Sequence, residues 1–70
     1  MITKEQKLEI VRSKINIIEG VIYNLDLSVI EEESKTQPNA DYLNQLALEK
    51  SENVLALAAM NNQLSLVLAE

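Results

Sequence analysis

Glu31, Glu32 and Glu33 form the densest group of chemically capable side chains in the sequence, and Glu49 with Glu52, three residues apart, forms the next. Grouped carboxylates can hold a divalent cation, or move a proton when one acid is kept neutral beside another. Neither use is well served here. Three successive helical residues point in different directions, so the triplet is a poor preformed metal cage. Glu49 and Glu52 share a helix face, but a di-iron bundle site needs Glu-x-x-His pairs, and there is no histidine. The absence of His and Cys also removes an imidazole base, a thiolate nucleophile, a zinc-thiolate site and a disulfide. No catalytic or cofactor-binding motif remains, so the expectation is a protein that is not an enzyme and needs no cofactor or metal.

The remaining polar chemistry is charge. Six Lys and Arg face eleven Asp and Glu, a net charge of −5. Residues 1–14 hold Lys4, Lys7, Arg12 and Lys14 against Glu5 and Glu9, whereas residues 15–34 hold Glu19, Asp26, Glu31, Glu32 and Glu33 with no base. Four bases without interleaved aromatics or a glycine loop are weak as a nucleic-acid site, and no such partner is expected. The glutamate triplet opposes the macrodipole of any helix that ends on it. It reads either as a solvated turn or as a docking point for a basic partner. Tyr23 and Tyr42, the only aromatics, read as interface anchors or as packing at a seam edge.

The elements that carry these residues are helical. One glycine, Gly20, and one proline, Pro38, leave too few turn residues for a β or α/β fold. Thr3 followed by Gln6 is a capping box, and Glu5 sits where the positive end of a helix favours an acid. Leu8, Val11, Ile15, Ile18, Ile22, Leu25 and Val29 then recur at alternating spacings of three and four, a sustained heptad. Ile10, Ile17 and Val21 widen the apolar arc beyond what one seam requires. The pattern fails between Glu31 and Asn39, and Pro38 denies its predecessor the helical region. Asn39 is one candidate N-cap for a second helix; Thr36, with Pro38 just inside, is the other. The spacing predicts a single hairpin over 1–70: a helix over about 3–33, a turn over 34–39 and a helix over about 39–69.

The second helix is differently composed. All seven Ile lie at or before residue 30, whereas all six Ala and eight of the eleven Leu lie at or after residue 40. One row carries Leu43, Leu46, Val54, Leu57, Leu64 and Leu68, and a second carries Leu48, Leu55, Ala59 and Leu66, with small residues between them. That strip admits a close helix neighbour or simply favours helix formation. Lys50 and Asn61 intrude on the first row, and a turn centred near residue 36 or 37 brings Lys50 roughly opposite Tyr23 to Asp26, where it either pairs with Asp26 or snorkels to solvent.

A lone hairpin buries one seam and leaves apolar surface on both helices. An all-α, coiled-coil-like antiparallel hairpin completed by association into a helical bundle is therefore expected: a dimer of hairpins first, a trimer next, or packing on another helical protein. Ile15, Ile18 and Ile22 at successive seam positions argue for the trimer. The longest apolar run, Val54 to Met60, is seven residues, against the roughly 20 needed to cross a bilayer. The N-terminal stretch lacks the apolar core of a signal peptide. No membrane partner is expected, and a cytoplasmic setting is.

Thr3-Lys4-Glu5-Gln6-Lys7-Leu8-Glu9, Tyr23-Asn24-Leu25-Asp26-Leu27-Ser28, Ile30-Glu31-Glu32 and Pro38-Asn39 resemble stretches of small helical-hairpin proteins encoded by marine tailed phages, especially those infecting cyanobacteria. The resemblance spans about the first forty residues. It implies an accessory or particle-associated protein, in the host cytoplasm or the virion, and assigns no activity or site residue. Two functions compete: a structural or interaction module working through its apolar helix faces, and an acidic inhibitor or adaptor that covers a basic surface of a host protein.

Overall fold

The computed structural model describes residues 1–70 and is all-α. Helix α1 spans Lys4–Glu33, helix α2 spans Ala40–Leu68, and the two pack antiparallel as a hairpin. Each start is fixed by a side chain. The Gln6 amide donates to Thr3 Oγ1 at 3.1 Å while the Thr3 amide donates to Gln6 Oε1 at 2.9 Å, closing the capping box. Asn39 caps α2, its Oδ1 accepting from the Tyr42 amide at 3.1 Å. The connection between the helices has no glycine, and no residue in the chain takes a positive φ. Ser34 closes α1 in an ordinary right-handed conformation, and its amide donates back to the Ile30 carbonyl at 3.1 Å.

The molecule is a rod of 54 × 16 × 14 Å with a radius of gyration of 16.1 Å, against about 11 Å for a compact chain of this length. A rod two helices thick has one seam instead of a three-dimensional core. Val11, Leu25, Leu46 and Val67 are the only buried hydrophobic residues. The seam side of α1 follows the expected row: Val11 and Leu25 are buried, and Leu8, Ile15, Ile18, Ile22 and Val29 are half-buried.

On α2 the row differs from the one its leucines suggest. Leu43, Leu46, Leu57 and Leu64 face the seam, whereas Val54 and Leu68 are 46% and 49% exposed. Asn53, Met60 and Val67 take the intervening places, and Lys50 is half-buried among them. The cause is phase. The row 43, 46, 50, 53, 57, 60, 64, 67 keeps the alternating three and four spacing of α1, and a helix packed along its whole length on such a row must match it. Val54 and Leu68 lie one position past that row. Asn61 is exposed and is no intrusion into the seam; Asn53 is the polar residue there, its Nδ2 donating to the Glu49 carbonyl at 2.9 Å.

No helix is long and apolar enough to cross a membrane. Gly20 lies in mid-helix, on the side of α1 away from the seam, and a Cβ added there would meet nothing within 4 Å. A glycine inside a helix costs about 1 kcal/mol relative to alanine. Gly20→Ala is therefore expected to raise unfolding stability by about 1 kcal/mol, measured by urea denaturation at fixed protein concentration. An unchanged or lower midpoint would show that the open space at Gly20 is used by a contact outside the hairpin.

Candidate functional site

The residues expected to do chemistry fall into three places: the two ends of the seam, its middle, and the outer faces. At the turn, Glu32 is buried although Glu31 and Glu33 are exposed. Three positions beyond Val29, it continues the seam row of α1, so its side chain points at α2. Glu32 Oε2 accepts from the Asn39 amide at 3.0 Å, and Oε1 accepts from Lys35 Nζ at 2.9 Å. The carboxylate thus sits against the N-terminus of α2, where unsatisfied amides and the macrodipole favour an anion. The Asn39 amide first, and the Lys35 ammonium second, hold the Glu32 carboxyl below its ordinary value, against a smaller opposing effect of burial. Lys35 is correspondingly raised by its bond to Glu32 and by that residue's charge. Glu32 is therefore a latch between the helices, a role the sequence pattern left unassigned.

The far end is built in the opposite sense. Lys4 Nζ donates to the Leu68 carbonyl at 3.3 Å, and Lys7 Nζ lies 3.1 Å from Glu70 Oε1. Neither helix has a base in its own last turn, so α1 supplies α2 with the cation that its carbonyl end favours. These end links fix one antiparallel register, in which the two ends of α1 meet the two ends of α2.

Between the centre of the seam and the turn, Lys50 Nζ lies 2.7 Å from Asp26 Oδ1, with both side chains nearly half exposed. An exposed pair of this kind contributes about 1 kcal/mol at most, so its weight lies in choosing one register among the similar ones that the leucines allow. Glu49 Oε1 accepts from Gln45 Nε2 at 3.4 Å, and no three acidic side chains gather into a group that could hold a metal ion.

The outer faces carry what the seam leaves over. Fourteen large hydrophobic side chains are exposed, among them Ile17 at 62%, Tyr23 at 64%, Leu48 at 61% and Leu55 at 70%. On one face a groove of about 480 Å³ runs between the helices, lined by Lys14, Ile17 and Ile18 of α1 and by Ala56, Ala59 and Met60 of α2. It exists because alanine stands twice where a larger side chain would close over Ile17. A second, polar hollow lies beside Glu5, Glu9 and Arg12 along α1 alone.

The Glu32 latch has a defined pH signature. Its carboxyl titrates lower in the folded chain than the ordinary value of 4.5, so its stabilisation is complete above that pH and is lost as pH falls through the lowered folded value. Glu32→Gln is expected to lower the urea midpoint at neutral pH, with the gap from the natural chain closing on acidification below about pH 4.5. A gap that stays constant into acid would remove the carboxylate from the latch. Asp26→Asn, in contrast, is expected to change stability by less than about 1 kcal/mol in the same measurement.

Comparison with known protein families, with curated proteins and with solved structures gives no match for this chain.

Proposed function

We propose that this chain is a non-enzymatic structural or interaction module that self-associates through its outer apolar faces. One observation carries the reading: four hydrophobic residues are buried within the hairpin while fourteen large ones are exposed. Surface area supports it. The hairpin exposes 5263 Å², whereas a compact monomer of 7.9 kDa exposes about 4,400 Å². The excess, about 850 Å², is close to the roughly 800 Å² that each partner contributes to a standard protein interface. A dimer of hairpins is the smallest assembly that would cover it, giving a four-helix bundle. Ile15, Ile18 and Ile22 face the second helix of the same chain, which takes away their argument for a trimer. The resemblance of the first forty residues to phage hairpin proteins supports an accessory or particle-associated role in the host cytoplasm or the virion. Another helical protein could use the same faces.

The competing reading, an acidic inhibitor of a host protein, draws on the turn. There Glu32 is engaged with Asn39 and Lys35, leaving Glu31 and Glu33 directed outward. The two readings separate by salt, because apolar burial survives screening and an exposed charge patch does not. Sedimentation equilibrium at micromolar concentration is expected to give a mass about twice 7.9 kDa that persists at high salt. A monomer under all conditions would overturn self-association, and a complex with a host protein that dissolves in salt would favour the inhibitor.

A further inference from the structure

The two flat sides of the rod differ in a way that selects one of them. On the side bearing the Asp26 to Lys50 pair, α1 presents Glu5, Glu9, Arg12, Asn16 and Glu19 up to mid-rod, and its apolar residues, Tyr23 and Ile30, stand only towards the turn. On the grooved side α1 presents Ile10, Ile17 and Val21, exposed by 46%, 62% and 38%, and α2 presents Ala56, Ala59 and Leu66 beside them. At mid-rod only the grooved side is apolar on both helices, with Ile17 and Val21 of α1 beside Ala56 and Ala59 of α2. Its centre lies near Ile17 and Ala56, which the register of the hairpin places at about the same level along the rod.

Charge on this side is divided about that centre. Towards the free end stand Lys7, already paired with Glu70, and Lys14, which has no ion-pair partner within the chain. Towards the turn stand Glu31, Glu49 and Glu52, none of which is ion-paired either. An occupant of the groove must therefore be apolar in the middle, acidic opposite the free end and basic opposite the turn. A second copy turned end for end has that pattern. A copy laid in the same direction would set acid on acid at the turn and base on base at the free end.

We propose, resting on the self-association reading above, that the grooved face is the dimer interface and that two hairpins meet there antiparallel, about a two-fold axis crossing the rod near Ile17 and Ala56. The contact is isologous, the same patch serving both copies. Ile10 of one copy then lies over the stretch holding Val21 of the other. The two α2 helices approach each other at Ala56, where the small side chains allow a close crossing. Lys14 of each copy faces the half of its partner that carries Glu49 and Glu52. The area left exposed by the hairpin beyond that of a compact monomer, about 850 Å², matches one such interface per chain.

The test uses the absence of cysteine from the chain. Thr36→Cys, at the exposed turn, carries one spin label per copy, and the label separation is read by pulsed electron resonance in the dimer. An antiparallel pair sets the two labels apart by about the 54 Å length of the rod; labels side by side would overturn the arrangement. Ile17→Glu, on an exposed position, is expected to yield folded monomer by circular dichroism and sedimentation, whereas Tyr23→Glu, outside the groove, is expected to keep the dimer. An Ile17→Glu dimer would overturn the assignment of this face while leaving self-association standing. A natural chain that is monomeric would overturn both. Lys14→Glu and the pair Glu49→Lys with Glu52→Lys are each expected to weaken dimerisation about tenfold, and their mixture to form a heterodimer as tight as the natural homodimer. A mixture no tighter than either variant alone would overturn the charge pairing.

Discussion

Everything in this hairpin conforms to one row of side chains on α1, in which Lys4, Leu8, Val11, Ile15, Ile18, Ile22, Leu25, Val29 and Glu32 follow one another at strict spacings of four and three. A rod two helices thick can bury nothing except along such a row. The second helix must therefore offer a row of the same period, whatever residues happen to stand on it. It does so at a local loss of apolar character, since Lys50 and Asn53 occupy seam positions while Val54 and Leu68 are turned out. Both polar residues are satisfied, Lys50 by Asp26 and Asn53 by a carbonyl of its own helix, and no buried polar side-chain atom is left without a partner. Period, not hydrophobicity residue by residue, decides which face is inside.

The two ends of that row are charged, and each charge meets the end of α2 that favours it. Glu32 lies against the amide end and Lys4 against the carbonyl end. One helix thus completes the other, and the turn is relieved of holding the hairpin together alone. This division explains how the connection manages without glycine: its residues keep ordinary right-handed or extended conformations, and the angle between the helices is fixed from the seam.

Much of this could be read from the residues. Thr3 with Gln6 marked the first helix start, Pro38 marked the break before the second with Asn39 and Thr36 both open as its cap, and the seven seam positions of α1 stood out by their sustained spacing of three and four although Ile10, Ile17 and Val21 lie beside them. Turn position placed Lys50 opposite the stretch from Tyr23 to Asp26, in which Asp26 is the one acid, and left an ion pair and snorkelling to solvent both open. The inner face of α2 was harder to read because that helix is apolar on several sides, so rows offset by one residue score alike; Met60 against Asn61 and Val67 against Leu68 differ only in phase. Glu32 was hidden among three identical neighbours. The signal that singles it out was present, since extending the row of α1 by three from Val29 lands on Glu32 and on neither Glu31 nor Glu33.

The spacing of Lys4 and Glu32 has a consequence for how such a chain can change. They stand 28 residues apart, about 42 Å along a helix, and the 29 residues of α2 span about 44 Å. The length of the molecule is thus written twice, once in each helix, and the two copies must agree. Loss of a heptad from one helix alone would leave a lysine or a glutamate with no helix end to meet, and loss of four residues would rotate half the row out of the seam. Only paired deletions or insertions of seven, at the same level in both helices, preserve the design, so related hairpins would be expected to differ in length by whole heptads taken from both arms together.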